Sequence, residues 1–353
     1  MIAVRVNIVL ITVFLLMSMG IGHAVTMQEQ RESDKRAAKD VVQLDGDSFE
    51  YSLGKRMYIL VDEEGSLTIG DVHNKMPERW EKSNVDIPSF GFSGNIYWAY
   101  IDVNNNSDQA KEWLLELAYP ELDKVHLYFF SDSGDMKLYR VSSLRPFNER
   151  PIQHRNFVFP LRFEAHQQAR IYVQVDNEAA VQLPLKIWSE RKFLEADQLY
   201  LLVQGLFFGA MMVMVIYNLF VYFSIRDRSY LFYVLYVAFF SLYQFSTQGL
   251  AFQYLWPEAV GWGQVSSRVL ASFTVAFTAL FIIEFLGLRK HAKIVCYLMQ
   301  VMVVGAGICV IISYVFPAGI GVQFIYVLGS SLSVLGLYIG FDLWRKGHAI
   351  ARY

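Results

Sequence analysis

The feature that most limits how this chain can fold is a series of five apolar segments in its second half, near Leu199–Phe223, Tyr230–Leu250, Val265–Leu286, Ile294–Phe316 and Ile320–Leu343. Each is close to the roughly 20 residues that a helix needs to cross the hydrocarbon core of a bilayer. Within lipid every backbone N–H and C=O must be satisfied inside the segment, so such stretches become helices and anchor the chain in a membrane. Arg226 and Arg228 lie in one connecting loop, Arg289, Lys290 and Lys293 in another, and Arg345 and Lys346 follow the last segment. These alternate with two loops, 251–264 and 317–319, that carry no Lys or Arg. By the positive-inside rule the basic loops face the cytoplasm. Arg191 and Lys192, just before the first span, count against that orientation.

Upstream of about Lys192 the composition changes, with charged, turn-forming and apolar residues interleaved as in a domain that folds in water. Residues 1–24 carry Arg5, an apolar core from about Ile8 to Met19 and then Gly22-His23-Ala24, the pattern of an export signal cleaved after Ala24. An uncleaved anchor is the competing reading, and either one delivers the downstream domain across the membrane. Residues 25–40 read as a polar tether. From Val41 to Trp188 apolar residues recur with a period of two in Tyr97–Val103, Trp113–Ala118, Val125–Phe130, Phe157–Leu161 and Ile171–Val175. That period belongs to half-buried strands. Clusters such as Asn104-Asn105-Asn106-Ser107-Asp108 and Ser131-Asp132-Ser133-Gly134-Asp135 supply the turns. The expected architecture is an all-β jelly-roll-like sandwich over residues 41–190, outside the cytoplasm, followed by an all-α transmembrane helix bundle. Residues 344–353 read as the start of a further segment, as if the chain stopped short.

Several function classes drop out. The formal net charge of -2 and the absence of a basic stripe give no footprint for nucleic acid. Both cysteines, Cys296 and Cys309, fall in one apolar segment, which leaves the exported domain without a disulfide framework or thiolate metal site. No phosphate loop, zinc helix or nucleophile elbow is present, and no cofactor is expected. Gly46-Asp47-Ser48-Phe49 faintly resembles a hydrolase serine block, but a serine without its base is inert.

What remains is binding. Trp80, Trp98, Tyr100 and Trp113 are candidates for stacking on a flat ligand. Alternation turns about one residue in two inward, so each has a core role as its bland alternative. Arg150, His154 and Arg155 form a polar cluster before an apolar strand, suited to an anionic or hydroxyl-rich ligand, against the reading of a solvated surface turn. In the spans, Gly205 and Gly209, and Gly336 and Gly340, have the spacing that lets helices approach closely, within the bundle or in a homodimer. Arg268 and Glu284 are separated by about 24 Å along a helix, too far to pair, and are placed near an interface where they snorkel, as is Asp342.

The strings Tyr217-Asn218-Leu219-Phe220, Arg226-Asp227-Arg228-Ser229-Tyr230-Leu231, Gly249-Leu250-Ala251-Phe252-Gln253-Tyr254-Leu255-Trp256-Pro257 and Phe285-Leu286-Gly287-Leu288 resemble the bacterial seven-transmembrane receptors with diverse intracellular signalling modules. Trp113-Leu114-Leu115-Glu116-Leu117, Arg150-Pro151-Ile152-Gln153-His154-Arg155-Asn156 and Gln182-Leu183-Pro184-Leu185 resemble that family's type 2 extracellular sensing domain. The resemblance implies a sensor similar to carbohydrate-binding modules, a multi-pass position in a bacterial inner membrane, and a cytoplasmic diguanylate cyclase, histidine kinase or similar output. This chain departs from it in having five spans and no output domain. The expected partners are a small, carbohydrate-like ligand, the lipid bilayer, a cytoplasmic signalling domain or protein, and a second copy of the chain. A transporter or channel-associated protein is the alternative.

Overall fold

The computed structural model describes residues 41–45, 49–75 and 79–345. The expected signal peptide, the tether, Gly46-Asp47-Ser48 and the stretch after Arg345 lie outside these residues. The chain divides into a main compact unit, Asp40–Leu332, and a second made of Met1–Lys39 and Ser333–Tyr353. The strands, the first four spans and the start of the fifth belong to the main unit.

Thirteen strands are described: β1 (Val42–Leu44), β2 (Glu50–Ser52), β3 (Tyr58–Asp62), β4 (Glu81–Lys82), β5 (Ser89–Gly91), β6 (Ile96–Asn105), β7 (Lys111–Leu117), β8 (Lys124–Ser131), β9 (Met136–Ser142), β10 (Phe157–Phe163), β11 (Gln168–Asp176), β12 (Val181–Gln182) and β13 (Leu185–Ser189). One sheet runs β4-β3-β6-β11-β8-β9, with β1 added parallel to β6, and a second runs β10-β7-β13-β2. The other pairings in these two sheets are antiparallel, so the molecule has the all-β, jelly-roll-like sandwich that the alternating pattern predicts. The register places every second residue between the sheets. Ala99, Ile101 and Val103 of β6, Leu127 and Phe129 of β8, Phe157, Phe159 and Phe163 of β10, and Ile171 and Val173 of β11 form one apolar core.

Both outer faces are covered as well. On the larger sheet, Trp98, Tyr100, Tyr128 and Tyr172 lie beneath Leu67, Ile69, Val72 and Trp80, contributed by the short helix α1 (Ile69–Lys75) and its flanks. On the smaller sheet, Val158 and Trp188 pack against Phe193, the first large apolar side chain of the helical half.

That half consists of α2 (Glu190–Ile225), α3 (Arg228–Thr247), α4 (Leu250–Tyr254), α5 (Val260–Phe285), α6 (Leu288–His291), α7 (Lys293–Val315) and α8 (Ala318–Arg345). Five of these helices are long and apolar enough to cross a membrane. Helix α2 follows β13 without a connecting residue: Ser189 ends the strand and caps the helix, its hydroxyl accepting from the Lys192 N–H at 3.4 Å. The helix therefore begins nine residues before the apolar run at Leu199 that marks it in the sequence.

Two expectations about the helices change. At Gly205 and Gly209 an added Cβ would meet nothing within 4 Å, so neither glycine serves a close approach between helices of the same chain. Arg268 does not snorkel. It is buried in α5 and donates from Nη2 to the Ser313 carbonyl of α7 at 3.2 Å. Glu284 pairs with Arg289 at 2.8 Å, and the Asp342 side chain lies outside the described atoms. Cys309 packs in a small cluster with Ala271 and Ile325.

Candidate functional site

The richest concentration of buried polar groups lies where the smaller sheet meets the helices. Its foundation is Glu116 on β7, an alternation position that faces outward from the sandwich yet is buried beneath α2. A carboxylate taken from water has to be hydrogen-bonded. Glu116 accepts from Asn156 Nδ2 at 2.6 Å and from the Trp188 indole N–H at 2.8 Å.

The network continues along the segment that precedes β10. The Asn156 backbone N–H donates to His154 Nδ1 at 3.1 Å, which leaves the ring proton on Nε2. From there it reaches Asp197 Oδ1 of α2, 3.0 Å away. Arg155 Nη1 donates to the same oxygen, and its guanidinium lies 3.8 Å from the centre of the Tyr200 ring. Tyr200 donates in turn to Gln248 Oε1 at 2.8 Å, which carries the chain of contacts from α2 to the end of α3.

Arg150 organises the same segment from within. Its Nη1 donates to the carbonyls of His154 and Arg155, both at 2.8 Å, and to that of Asn156 at 3.4 Å. The guanidinium sits 4.9 Å from the centre of the Phe147 ring, 4.6 Å from Phe157 and 5.7 Å from Phe252 of α4, an arrangement of cation on aromatic faces. Burial pulls its pKa down to about 10. The expected alternative for Arg150, His154 and Arg155, a solvated turn, is therefore replaced by a buried one. Each is less than a tenth exposed.

Backbone contacts close the junction. Gly249 has φ +74°, and an added Cβ would stand 2.8 Å from Pro120 of the β7–β8 loop and 3.1 Å from the Arg155 carbonyl oxygen. Only glycine allows both the left-handed turn and that approach. The Phe147 N–H donates to the Pro257 carbonyl at 2.9 Å. At the start of α8, the Ala318 N–H donates to Glu178 Oε2 at 3.2 Å.

The structure thus gathers three of the seven sequence candidates at the junction and three others on the larger sheet, and leaves Trp113 apart. Arg150 and Arg155 line a cavity at this junction, and His154 shares the Asp197 carboxylate oxygen with Arg155 beside it. Trp80, Trp98 and Tyr100 gather on the far side of the larger sheet, where Trp80 packs edge-on to Tyr100 at 4.7 Å. Trp98 is completely buried there, so the described residues do not leave these rings as an open stacking platform. Trp113 stands in the sandwich core, edge-on to Tyr51 at 5.7 Å. Sequence reasoning missed Glu116, Asp197 and the cavity residues Glu121, Asp123 and Ser267. The available signal was weak: Asp197 lies two residues ahead of an apolar span, and Glu121 and Asp123 follow a proline in a loop.

A sandwich whose last strand becomes a membrane helix, locked to it by a buried polar network, is the architecture of a receptor-like membrane module. Family comparison agrees: residues 54–189 match the model described as 7TMR-DISM extracellular 2, and residues 200–353 match that described as 7TM diverse intracellular signalling. The chain belongs to this 7TMR-DISM family, whose role is membrane signalling. No curated protein matches the sequence. Among solved structures, CsCBM6-3 from Clostridium stercorarium in complex with cellobiose is similar at 11% identity, covering 29% of this chain and 81% of that one. Its TM-score is 0.16, too low to carry an argument about this chain.

Proposed function

We propose that the chain is the sensing and transmitting part of a bacterial inner-membrane receptor. The sandwich lies in the periplasm and receives a small-molecule ligand. The helices pass the resulting change to a cytoplasmic output of the cyclase or kinase kind, and this chain performs no catalysis itself. One observation carries the reading. Strand β13 continues into α2 with no intervening loop, and Asp197 ties the first turns of that helix to His154 and Arg155. A shift of the smaller sheet is then also a shift of α2. A ligand drives such a shift only by the difference in its affinity for the two arrangements. The alternation of basic and non-basic loops supports the orientation.

The test is chemical access to residue 132. Asp132 is exposed at the β8–β9 turn, and the two native cysteines are buried, so Asp132→Cys supplies a clean label site. A membrane-impermeant maleimide should label it in cells whose outer membrane alone is permeabilised. Labelling only after the inner membrane is opened would reverse the orientation and remove the receptor reading.

A further inference from the structure

Beside the start of α8 the sandwich carries apolar side chains that its own core does not cover. The loop leading into β12 rests on this helix: the Ala318 N–H donates to Glu178 Oε2 at 3.2 Å, and a Cβ on Gly319 would stand 2.7 Å from the Glu178 carbonyl oxygen. Strand β12 pairs in turn with β5, so the turn that follows β5, residues 92–95, is held against the same helix. There Phe92 meets Tyr326 of α8 edge-on, with ring centres 6.4 Å apart.

Phe92 is out of place in a turn. Ser93, Gly94 and Asn95 beside it are ordinary turn residues. Two positions earlier Phe90 stacks on Tyr97 at 4.1 Å and packs against the core, whereas Phe92 stays 38% exposed. Val85 and Ile87, on the approach to β5, are also exposed. A lone exposed apolar residue needs no explanation, but one seated on a membrane-spanning helix points to what surrounds that helix.

Helix lengths set the depth of the contact. Helix α7 has 23 residues, about 34 Å at 1.5 Å per residue, so it little more than spans the roughly 30 Å hydrocarbon core, and the Phe316-Pro317 turn after it sits near the edge of that core. Tyr326 follows Ala318 by eight residues, about 12 Å along α8. Helical side chains lean back toward the N-terminus, which brings the two rings up to the boundary between headgroups and acyl chains. Tyr326 and Phe324 are themselves more than half exposed. On a spanning helix such surface faces lipid, and Phe92 continues it.

We propose that the 92–95 turn is a lipid-contacting anchor, with Phe92 inserted beside α8 into the leaflet on the sandwich's own side. Its partner is the glycerol and upper acyl region of the bilayer rather than any particular headgroup, since the turn carries no Lys or Arg. The anchor gives the sandwich a hold on the membrane separate from the β13–α2 connection. It requires only that α7 and α8 cross a membrane, so it stands or falls apart from the receptor reading and from the orientation of the chain.

The experiment places a nitroxide on Phe92→Cys in the full chain in phosphatidylcholine nanodiscs, where the two native cysteines are buried and stay unlabelled. Collision with oxygen, which enters hydrocarbon, is compared with collision with a water-soluble nickel chelate, which does not. Asp132→Cys, exposed at the β8–β9 turn, sets the aqueous value, and Val304→Cys, exposed midway along α7, sets the lipid value. The oxygen-to-nickel ratio at residue 92 should exceed that at residue 132 by about tenfold, because the polar chelate is excluded from the acyl region. A ratio matching that at residue 132 would put the turn in water and overturn the proposal. Slow collision with both reagents would overturn it equally, by showing that a second copy or another helix covers the ring. If the cysteine variant does not fold, Phe92→Trp keeps an aromatic ring there. The fluorescence it adds over the parent chain should be quenched by lipids brominated on the upper acyl chain, and added emission that escapes quenching rules the anchor out.

Discussion

Between the two sheets Phe157, Phe159 and Phe163 join Ile101, Leu127 and Ile171 in an apolar core, while at the junction Arg150, His154, Arg155 and Glu116 are almost as deeply buried but held by hydrogen bonds, an ion pair and aromatic faces. The core is stabilised by area removed from water, which is non-directional and tolerates small shifts. The junction depends on directed contacts between groups that lose heavily if a partner leaves. Burial alone therefore does not distinguish the part that holds the fold from the part suited to changing state. The kind of contact does.

The largest effect should come from the core. Phe159→Ala removes a completely buried ring and is expected to cost about 3–5 kcal/mol. Urea unfolding of the full chain in detergent, followed by tryptophan fluorescence, measures it, and a loss below about 1 kcal/mol would mean that the sheets do not pack as described.

At the junction, Asp197→Ala leaves Arg155 and His154 buried without their shared acceptor, a loss of about 3 kcal/mol. Here the two regions should respond differently. The strand signal in circular dichroism should persist while protease cleavage near Ser189 increases. Simultaneous loss of both would show that sandwich and junction unfold as one.

Gly249→Ala tests the backbone approach and should cost about 1–2 kcal/mol from the left-handed conformation alone, with the clash against Pro120 added. Thermal melting of the variant beside Gly261→Ala gives the check, because a Cβ at Gly261 meets nothing within 4 Å. Equal melting temperatures would deny the contact.

The smallest effect is on pH. The Glu121 pKa is raised from 4.5 unfolded to about 7 folded, so the folded chain binds the extra proton. Its contribution to stability is complete below about pH 4.5 and disappears as pH rises to about 7. Glu121 is exposed, so solvent screens the charge and keeps the effect under about 1 kcal/mol. Glu121→Gln should flatten that part of the stability profile, and an unaltered slope would place the titration on another group.

The fold class was legible because its causes are local. Period-two alternation in Tyr97–Val103 or Ile171–Val175 requires only that one face of a strand be dry. The aromatic candidates show where that reasoning stops. Trp98 and Trp113 obey the same alternation, but one points into a second apolar layer under α1 and the other into the core between the sheets. Nothing in a single strand says what covers its outer face.

From the sequence by itself came a chain that crosses a bilayer after a β-rich domain, since backbone satisfaction in lipid and half-buried strands leave their marks in consecutive residues. The tertiary structure alone decided that Arg155 meets Asp197 across 42 residues, that Arg268 reaches Ser313 across 45, and that Glu121 shares a cavity with both Arg150 and Arg268. Charges find their partners through space, and spatial neighbours this distant in the chain leave no periodic trace.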